Sequence, residues 1–241
     1  MSALAVMLIA MGIADVCRRL TDRLWRPVVV APIVVAGCAA LAGLWHLGNI
    51  ALLVIAAAAS VGWVLLCARA ERTGERELIP LAVFGGAFGL LIALSGLGSD
   101  VTGLIAGWPS WVGIAVDPDR LLMVIGVVLL QLVTGNQLVR LLLGSVGSIK
   151  PAGQPQASDR LKGGRLMGPM ERLLILGLGL AGQLAAATAV VAAKSIIRFP
   201  EINAQKARQN GGIGIDEVTE YFLVGSFASW ILALGGLALA Q

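Results

Sequence analysis

The sequence predicts an all-α integral membrane protein with about six transmembrane helices and one re-entrant helical hairpin. Hydrophobic residues make up 58% of the 241 residues, and charged residues only 13%. The apolar residues gather into long segments that contain almost no charge, at positions 3–17, 27–45, 50–68, 78–97, 121–139, 173–193 and 221–240. Crossing the hydrocarbon core of a bilayer takes roughly 20 apolar helical residues, so segments of this length are typical of a multi-pass membrane protein.

The positions of Lys and Arg predict the orientation, because these residues accumulate in the cytoplasmic loops of membrane proteins. Four arginines directly follow the first segment, namely Arg18, Arg19, Arg23 and Arg26. The next loop, 45–49, has no Lys or Arg, the loop 69–77 has three arginines, and the loop 98–119 has only acids. We therefore expect the N-terminus outside and the loops alternating, with Trp108 and Trp111 at the outer membrane surface.

A stretch rich in Gly, Pro, Ser and basic residues divides the chain. It covers residues 144–168 and includes the sequence SVGSIKPAGQPQASDRLKGGR. Such a composition predicts a flexible cytoplasmic linker. It separates a five-span transmembrane part, residues 1–143, from a C-terminal membrane part, residues 169–241.

The segment 173–193 either crosses the membrane or enters it and turns back at Gly182-Gln183. A crossing would place four basic residues outside, namely Lys194, Arg198, Lys206 and Arg208. A turn would leave every Lys and Arg except Arg120 on the cytoplasmic side, with two arms too short to span. We favour the re-entrant hairpin; the alternative is a seventh transmembrane helix.

A hairpin would bring the polar residues of the C-terminal part into one layer near the cytoplasmic face. These candidate binding residues are Glu171, Lys194, Ser195, Arg198, Glu220 and Tyr221. Opposite charges at that depth should pair, so we expect Lys194 to pair with Glu171 or Glu220. Taken singly, each has an ordinary role: Glu171 complements a helix dipole after Gly168-Pro169, and Lys194 extends to the interface.

A second set of polar residues lies within or beside the other apolar segments. It consists of Asp15, Gln131, Thr134, Asn136 and Gln183. Asp15 is spaced to pair with Arg18 or Arg19 on one helix face. The amides are of the kind that tie membrane helices together by hydrogen bonds.

The sequence predicts no catalytic residue, no metal site and no cofactor. It has one histidine and three scattered cysteines, and it contains no GxSxG, Walker, CxxC or HExxH motif. No basic arm or nucleic-acid motif accompanies the net charge of +4, so nucleic acid is not an expected partner. Whether the protein is an enzyme stays open, and the sequence favours that it is not.

Three C-terminal segments resemble the signature of a known family. GPMERLLILGLGLAGQ, AAKSIIRFPEI and TEYFLVGSFASW are similar to the LERLLIL, GQ, AAKSxxRF and EYxLIGTLxS motifs of a family of uncharacterised bacterial multi-pass inner-membrane proteins. The resemblance covers roughly residues 165–230. The matching residues are Glu171, Arg172, Gln183, Lys194, Ser195, Arg198, Phe199, Glu220, Tyr221 and Gly225.

The resemblance implies a location in the bacterial cytoplasmic membrane and no particular activity. The family's first helix usually carries a His a few residues before an Asp. Asp15 takes the position of the Asp, whereas Met11 stands near the position of the His. Any function that needs the His is therefore not implied for this chain.

Three functions fit these observations. The first is a small transporter, channel or lipid-handling protein, because broken helices with charged ends form substrate sites in transporters. The second is a non-catalytic membrane subunit or scaffold, with its basic loops on a partner protein or on anionic lipid headgroups of the bilayer. The third is an intramembrane lipid-modifying enzyme that uses Glu171 or Glu220 as acid or base.

Overall fold

The computed structural model describes residues 1–74, 76–111, 116–147, 164–194, 196 and 215–241. Within those residues the chain is helical and has no strand, which confirms the all-α prediction. Four helical stretches are long and apolar enough to cross a membrane, namely Trp25–Ala42, Leu47–Thr73, Pro118–Ser145 and Glu220–Ala240. The length and composition of these helices indicate a helical membrane protein.

The helices follow the predicted apolar segments, most of them with extended ends. The helices of segments 27–45 and 78–97 end earlier, at Ala42 and Ala93, and segment 173–193 is divided between two helices. They are α1 Ser2–Leu20, α2 Trp25–Ala42, α3 Leu47–Thr73, α4 Leu78–Ala93, α5 Leu104–Trp111, α6 Pro118–Ser145, α7 Gly164–Leu180, α8 Leu184–Lys194 and α9 Ile215–Ala240. Most of the predicted linker 144–168 lies outside the described residues. However, α7 begins inside that linker, at Gly164, because the helix continues through Pro169 toward its N-terminus.

The first helix, α1, forms the centre of the bundle. It packs against α2, α3 and α6, and almost every side chain from Ser2 to Asp15 is buried. A helix that is apolar on all sides suits such an enclosed position. At Gly12, an added Cβ would lie only 2.8 Å from the Cβ of Leu129 in α6, so this glycine sets how closely the two helices approach.

We expect Gly12→Ala to destabilise the protein by about 1–3 kcal/mol, because the new methyl group must push α1 and α6 apart. Gly85→Ala in α4 is the matched control, since an added Cβ there meets nothing within 4 Å. Both changes bring the same gain in helix propensity, so the difference between them isolates the clash. Denaturation by sodium dodecyl sulfate measures both, and equal stabilities would show that the α1–α6 contact tolerates the methyl group.

One end of the bundle is closed by hydrogen bonds from the segment that follows α4. Asp119 accepts from Ser2 Oγ at 2.9 Å and from the Val101 N–H at 2.9 Å. Asn49 Nδ2 donates to Ser99 Oγ at 2.7 Å. The loop 98–119 also contains α5, where Trp108 is exposed. Its depth in a membrane, and that of Trp111, stays a prediction.

The opposite end carries most of the arginines, and we call it the basic end; it is formed by the helix ends at Leu20, Thr73 and Ser145. The last helix, α9, runs antiparallel to α6. Arg120 Nε donates to the Ala240 carbonyl at 3.0 Å, so the C-terminal end of α9 lies away from the basic end.

The chain reverses direction between α7 and α8. Gly182 adopts a left-handed conformation with φ 75°, and the Gln183 N–H donates to the Leu178 carbonyl at 2.8 Å. This backbone geometry ends α7 as glycine-terminated helices commonly end. The two helices pack through Ile175 and Ala187, together with Ala233 of α9.

Candidate functional site

The first polar cluster consists of Glu171, Arg172 and Lys194, and we call it the α7–α8 cluster. The Lys194 ammonium forms an ion pair with Glu171 Oε2. Trp230 Nε1 of α9 donates to Glu171 Oε1 at 2.8 Å. Glu171 is buried, and the Lys194 side chain is only 14% exposed. The pairing of Lys194 with Glu171, one of the two expected partners, is thus present.

Arg172 is enclosed completely, with 1% of its surface exposed. Its Nε and Nη2 donate to the Gln131 carbonyl at 3.1 and 2.8 Å. Nη2 also donates to Asn136 Oδ1 at 2.7 Å, and Nη1 donates to Ser229 Oγ at 3.0 Å. All of these acceptors are neutral, so among the described residues the guanidinium forms no direct ion pair.

A π-helical segment in α6, Leu130–Thr134, explains why the Gln131 carbonyl is available. The Gly135 N–H donates to the Leu130 carbonyl, five residues back instead of the usual four, and so leaves the Gln131 carbonyl without its normal helical donor. Arg172 of α7 supplies the missing donor. Arg19 Nη2 of α1 donates to the Val133 carbonyl at 3.0 Å. Arginines from two different helices therefore bind backbone carbonyls of the π segment.

The second cluster centres on Asp15, which is 1% exposed. Trp63 Nε1 donates to both carboxylate oxygens, at 3.1 and 3.3 Å. Arg18 Nη2 lies 3.4 Å from Oδ1, which confirms the expected helix-face pair. Trp63 of α3 covers this pair, so the Asp15 carboxylate is buried within the protein. Thr134 of the π segment lies near enough to act on the same carboxylate.

The α7–α8 cluster lies level with the middle of two long helices. Gln131, whose carbonyl accepts from Arg172, is near the middle of α6, and Trp230, which donates to Glu171, is near the middle of α9. The depth of the cluster in a membrane, which we expected to be near the cytoplasmic face, stays a prediction.

α7 starts earlier than the sequence predicted. Because α7 begins at Gly164 rather than at Gly168-Pro169, Glu171 lies about two turns from the start of the helix. The role predicted for Glu171 in the first turn of a helix is therefore wrong. Lys194 pairs with the buried carboxylate of Glu171.

The other candidate residues have varied positions. Gln131 Nε2 donates to the Leu232 carbonyl at 2.7 Å and so ties α6 to α9, as expected of a helix-linking amide. Asn136 belongs to the surroundings of Arg172. Gln183 and Glu220 are exposed, and Tyr221 is half-buried. Ser195 and Arg198 lie outside the described residues.

The sequence reasoning missed Arg172, Trp230, Ser229 and Trp63 as members of the clusters. Arg172 entered only through the family resemblance. A usable signal was present, because Glu171 and Arg172 are adjacent within an apolar helix, and burying one of them brings the other close to the interior.

The described residues contain no group of three or more His, Cys, Asp or Glu side chains that could hold a metal ion. Comparison of the chain with known protein families, with curated proteins and with solved structures found no match. The described contacts within the two clusters are ion pairs and hydrogen bonds.

Proposed function

We propose that the protein is a small membrane transporter whose solute site is the α7–α8 cluster. One observation carries the proposal: Glu171 and Arg172 are buried at the level of the middle of α6 and α9, and Lys194, whose side chain is mostly enclosed, pairs with Glu171 there. Ionisable groups at that depth are costly in a membrane protein, and they mark substrate or ion pathways in many of them.

The helix geometry around the cluster supports transport over a purely structural role. Solute sites of transporters are commonly built where helices are interrupted near the membrane midplane. Here the π segment of α6 faces Arg172, and the α7–α8 reversal brings Lys194 to Glu171. A buried ion pair adds little net stability compared with apolar residues of similar size, so stability alone gives little reason for placing three charges here.

The charges of the cluster indicate the class of solute. It holds two cationic side chains and one anionic side chain, and within the described part of the chain the Arg172 guanidinium bonds only to neutral oxygens. A solute with a carboxylate or phosphate group would balance the remaining positive charge. It would reach Lys194 by competing with Glu171, which keeps the Trp230 N–H as a partner.

The proposal includes a topology. Six spans, α1 to α4, α6 and α9, cross the bacterial cytoplasmic membrane with the N-terminus outside, and α7 and α8 re-enter from the cytoplasm. The arginines at the basic end support this orientation. They also suit anionic lipid headgroups. Membership of the uncharacterised inner-membrane family is proposed on the matching residues of α7, α8 and α9.

Side-specific labelling in proteoliposomes tests the transporter proposal. In a cysteine-free background, we expect Ser229→Cys, beside Arg172, to react with a small membrane-impermeant thiol reagent. Ala187→Cys, in the apolar core of the same hairpin, should stay unreactive. Solutes from a panel of small carboxylates and phosphates that slow the reaction are then tested for counterflow into the same vesicles.

A site that opens to water during transport must expose Ser229→Cys on at least one side of the membrane. Lack of reaction from both sides, with the protein folded, would contradict the transporter and favour a scaffold whose charges are structural. Reaction without protection by any solute of the panel would contradict the proposed solute class alone.

A further inference from the structure

Several buried polar atoms around Asp15 have no hydrogen-bond partner within the described residues. They include Arg18 Nε, Thr134 Oγ1 and Gln137 Nε2. Leaving such an atom unpaired costs about 1–3 kcal/mol, and buried polar groups without a protein partner are normally satisfied by internal water. Internal water is the kind of partner that would satisfy these atoms.

Two stripes of polar side chains lie next to these unpaired atoms, one on α3 and one on α6. On α3, Trp63, Cys67 and Glu71 are four residues apart and share one helix face. On α6, Thr134 and Gln137 are three residues apart, and the Gln137 side chain lies close to Cys67. Both stripes begin at Asp15 and run toward the basic end.

Exposure to solvent increases step by step along the ion pairs of this region. The Asp15 side chain is 1% exposed, Arg18 12%, Glu71 33% and Arg140 54%. Arg18 Nη1 lies 3.0 Å from Glu71 Oε1, and Arg140 Nη1 lies 3.8 Å from the same oxygen. The polar region thus connects the buried carboxylate to the surface at the basic end.

We propose that a file of water molecules runs from the basic end past Arg18, Gln137 and Thr134 to Asp15, and that Asp15 binds and releases a proton through it. A hydronium ion in the file transfers its proton to a carboxylate oxygen, which leaves water and a neutral carboxylic acid. The new O–H donates to Thr134 Oγ1, which lies beside the carboxylate and has no other hydrogen-bond partner among the described residues.

The surroundings allow this change of charge. Arg18 retains Glu71 as its counter-ion when Asp15 is neutral, and Trp63 Nε1 can still donate to the carbonyl oxygen of the acid. Arg19 is the other charged group that acts on Asp15. Of the other two helices packed on α1, α2 contains only Arg26 and Cys38 as ionisable residues, and α4 contains none.

Infrared spectroscopy of the full-length protein in proteoliposomes tests proton binding. Acidification protonates other carboxylates as well, so the test is the difference spectrum between two proteins. Subtracting the spectrum of Asp15→Asn from that of the unchanged protein should leave a protonated-carboxyl band at the high frequency of an acid in apolar surroundings. Subtracting the spectrum of Asp100→Asn, whose acid is exposed, should leave no such band. Absence of the Asp15 difference band at every pH at which the protein stays folded would overturn the proposal.

Cys67 tests the water file without any change at Asp15. In a Cys17→Ala/Cys38→Ala protein, the Cys67 S–H band should convert rapidly to the S–D band in D2O, and Gln137→Leu should slow that conversion. An S–H band that persists as long as the amide protons of α3 would mean that the region is dry and would overturn the water file. Neither test needs a solute, so both stand apart from the proposed solute site.

Discussion

Replacing Arg172 by Met is expected to destabilise the protein by roughly 3–5 kcal/mol, because the change leaves buried polar partners unpaired. The Gln131 carbonyl loses both of its donors from Arg172, and Asn136 and Ser229 lose one each. Arg172→Lys should recover little, since an ammonium group cannot reproduce the planar fork that binds three acceptors. Denaturation by sodium dodecyl sulfate, followed by tryptophan fluorescence, gives the change in unfolding free energy.

The matched control is Arg140→Met. Its side chain is 54% exposed and its nearest carboxylate oxygen is 3.8 Å away, so we expect a change within about 1 kcal/mol. If Arg172→Lys were as stable as the unchanged protein, the support of the π segment by the guanidinium would be disproved.

Replacing Lys194 by Met is expected to cost a few kcal/mol, since it leaves the buried carboxylate of Glu171 without its counter-ion. Adding Glu171→Gln should restore part of the loss, because the amide can still accept from Trp230 Nε1. The double-mutant cycle between the two positions should therefore show a coupling free energy well above the error of the measurement.

A second cycle supplies the control for the choice of partner. Glu220 is exposed, so Lys194→Met and Glu220→Gln should have additive effects. Coupling of Lys194 to Glu220 instead of Glu171 would contradict the arrangement of the α7–α8 cluster. Additive effects in both cycles would mean that Lys194 makes no stabilising pair at all.

The helices could be predicted from the sequence because apolar segments and glycine-rich breaks have simple patterns. The segment 50–68, for example, lies within α3, and the break at Gly182-Gln183 lies between α7 and α8. The central position of α1 could not be predicted. A helix that faces lipid and a helix enclosed by other helices are both apolar on every side.

The π segment had no signal in the sequence. Nothing in the sequence Leu130–Thr134 indicates hydrogen bonds between residues five apart instead of four. The wider π turn is stabilised by Arg172 and Arg19, which come from other helices. The position of Glu171 within its helix was misjudged because the local signal for the helix start was wrong. Gly168-Pro169 is a good helix start by local rules, yet the helix begins before it at Gly164.

The central claim is that α7 and α8 enter and leave the membrane on the same side, which places the charges of the cluster inside it. Topology reporters fused after Asn210, between α8 and α9 in the chain, and after Gln241, at its end, test this most directly. We predict a cytoplasmic signal at Asn210 and an external signal at Gln241. An external signal at Asn210 would contradict the claim, because the segment from α7 to α8 would then cross the membrane once.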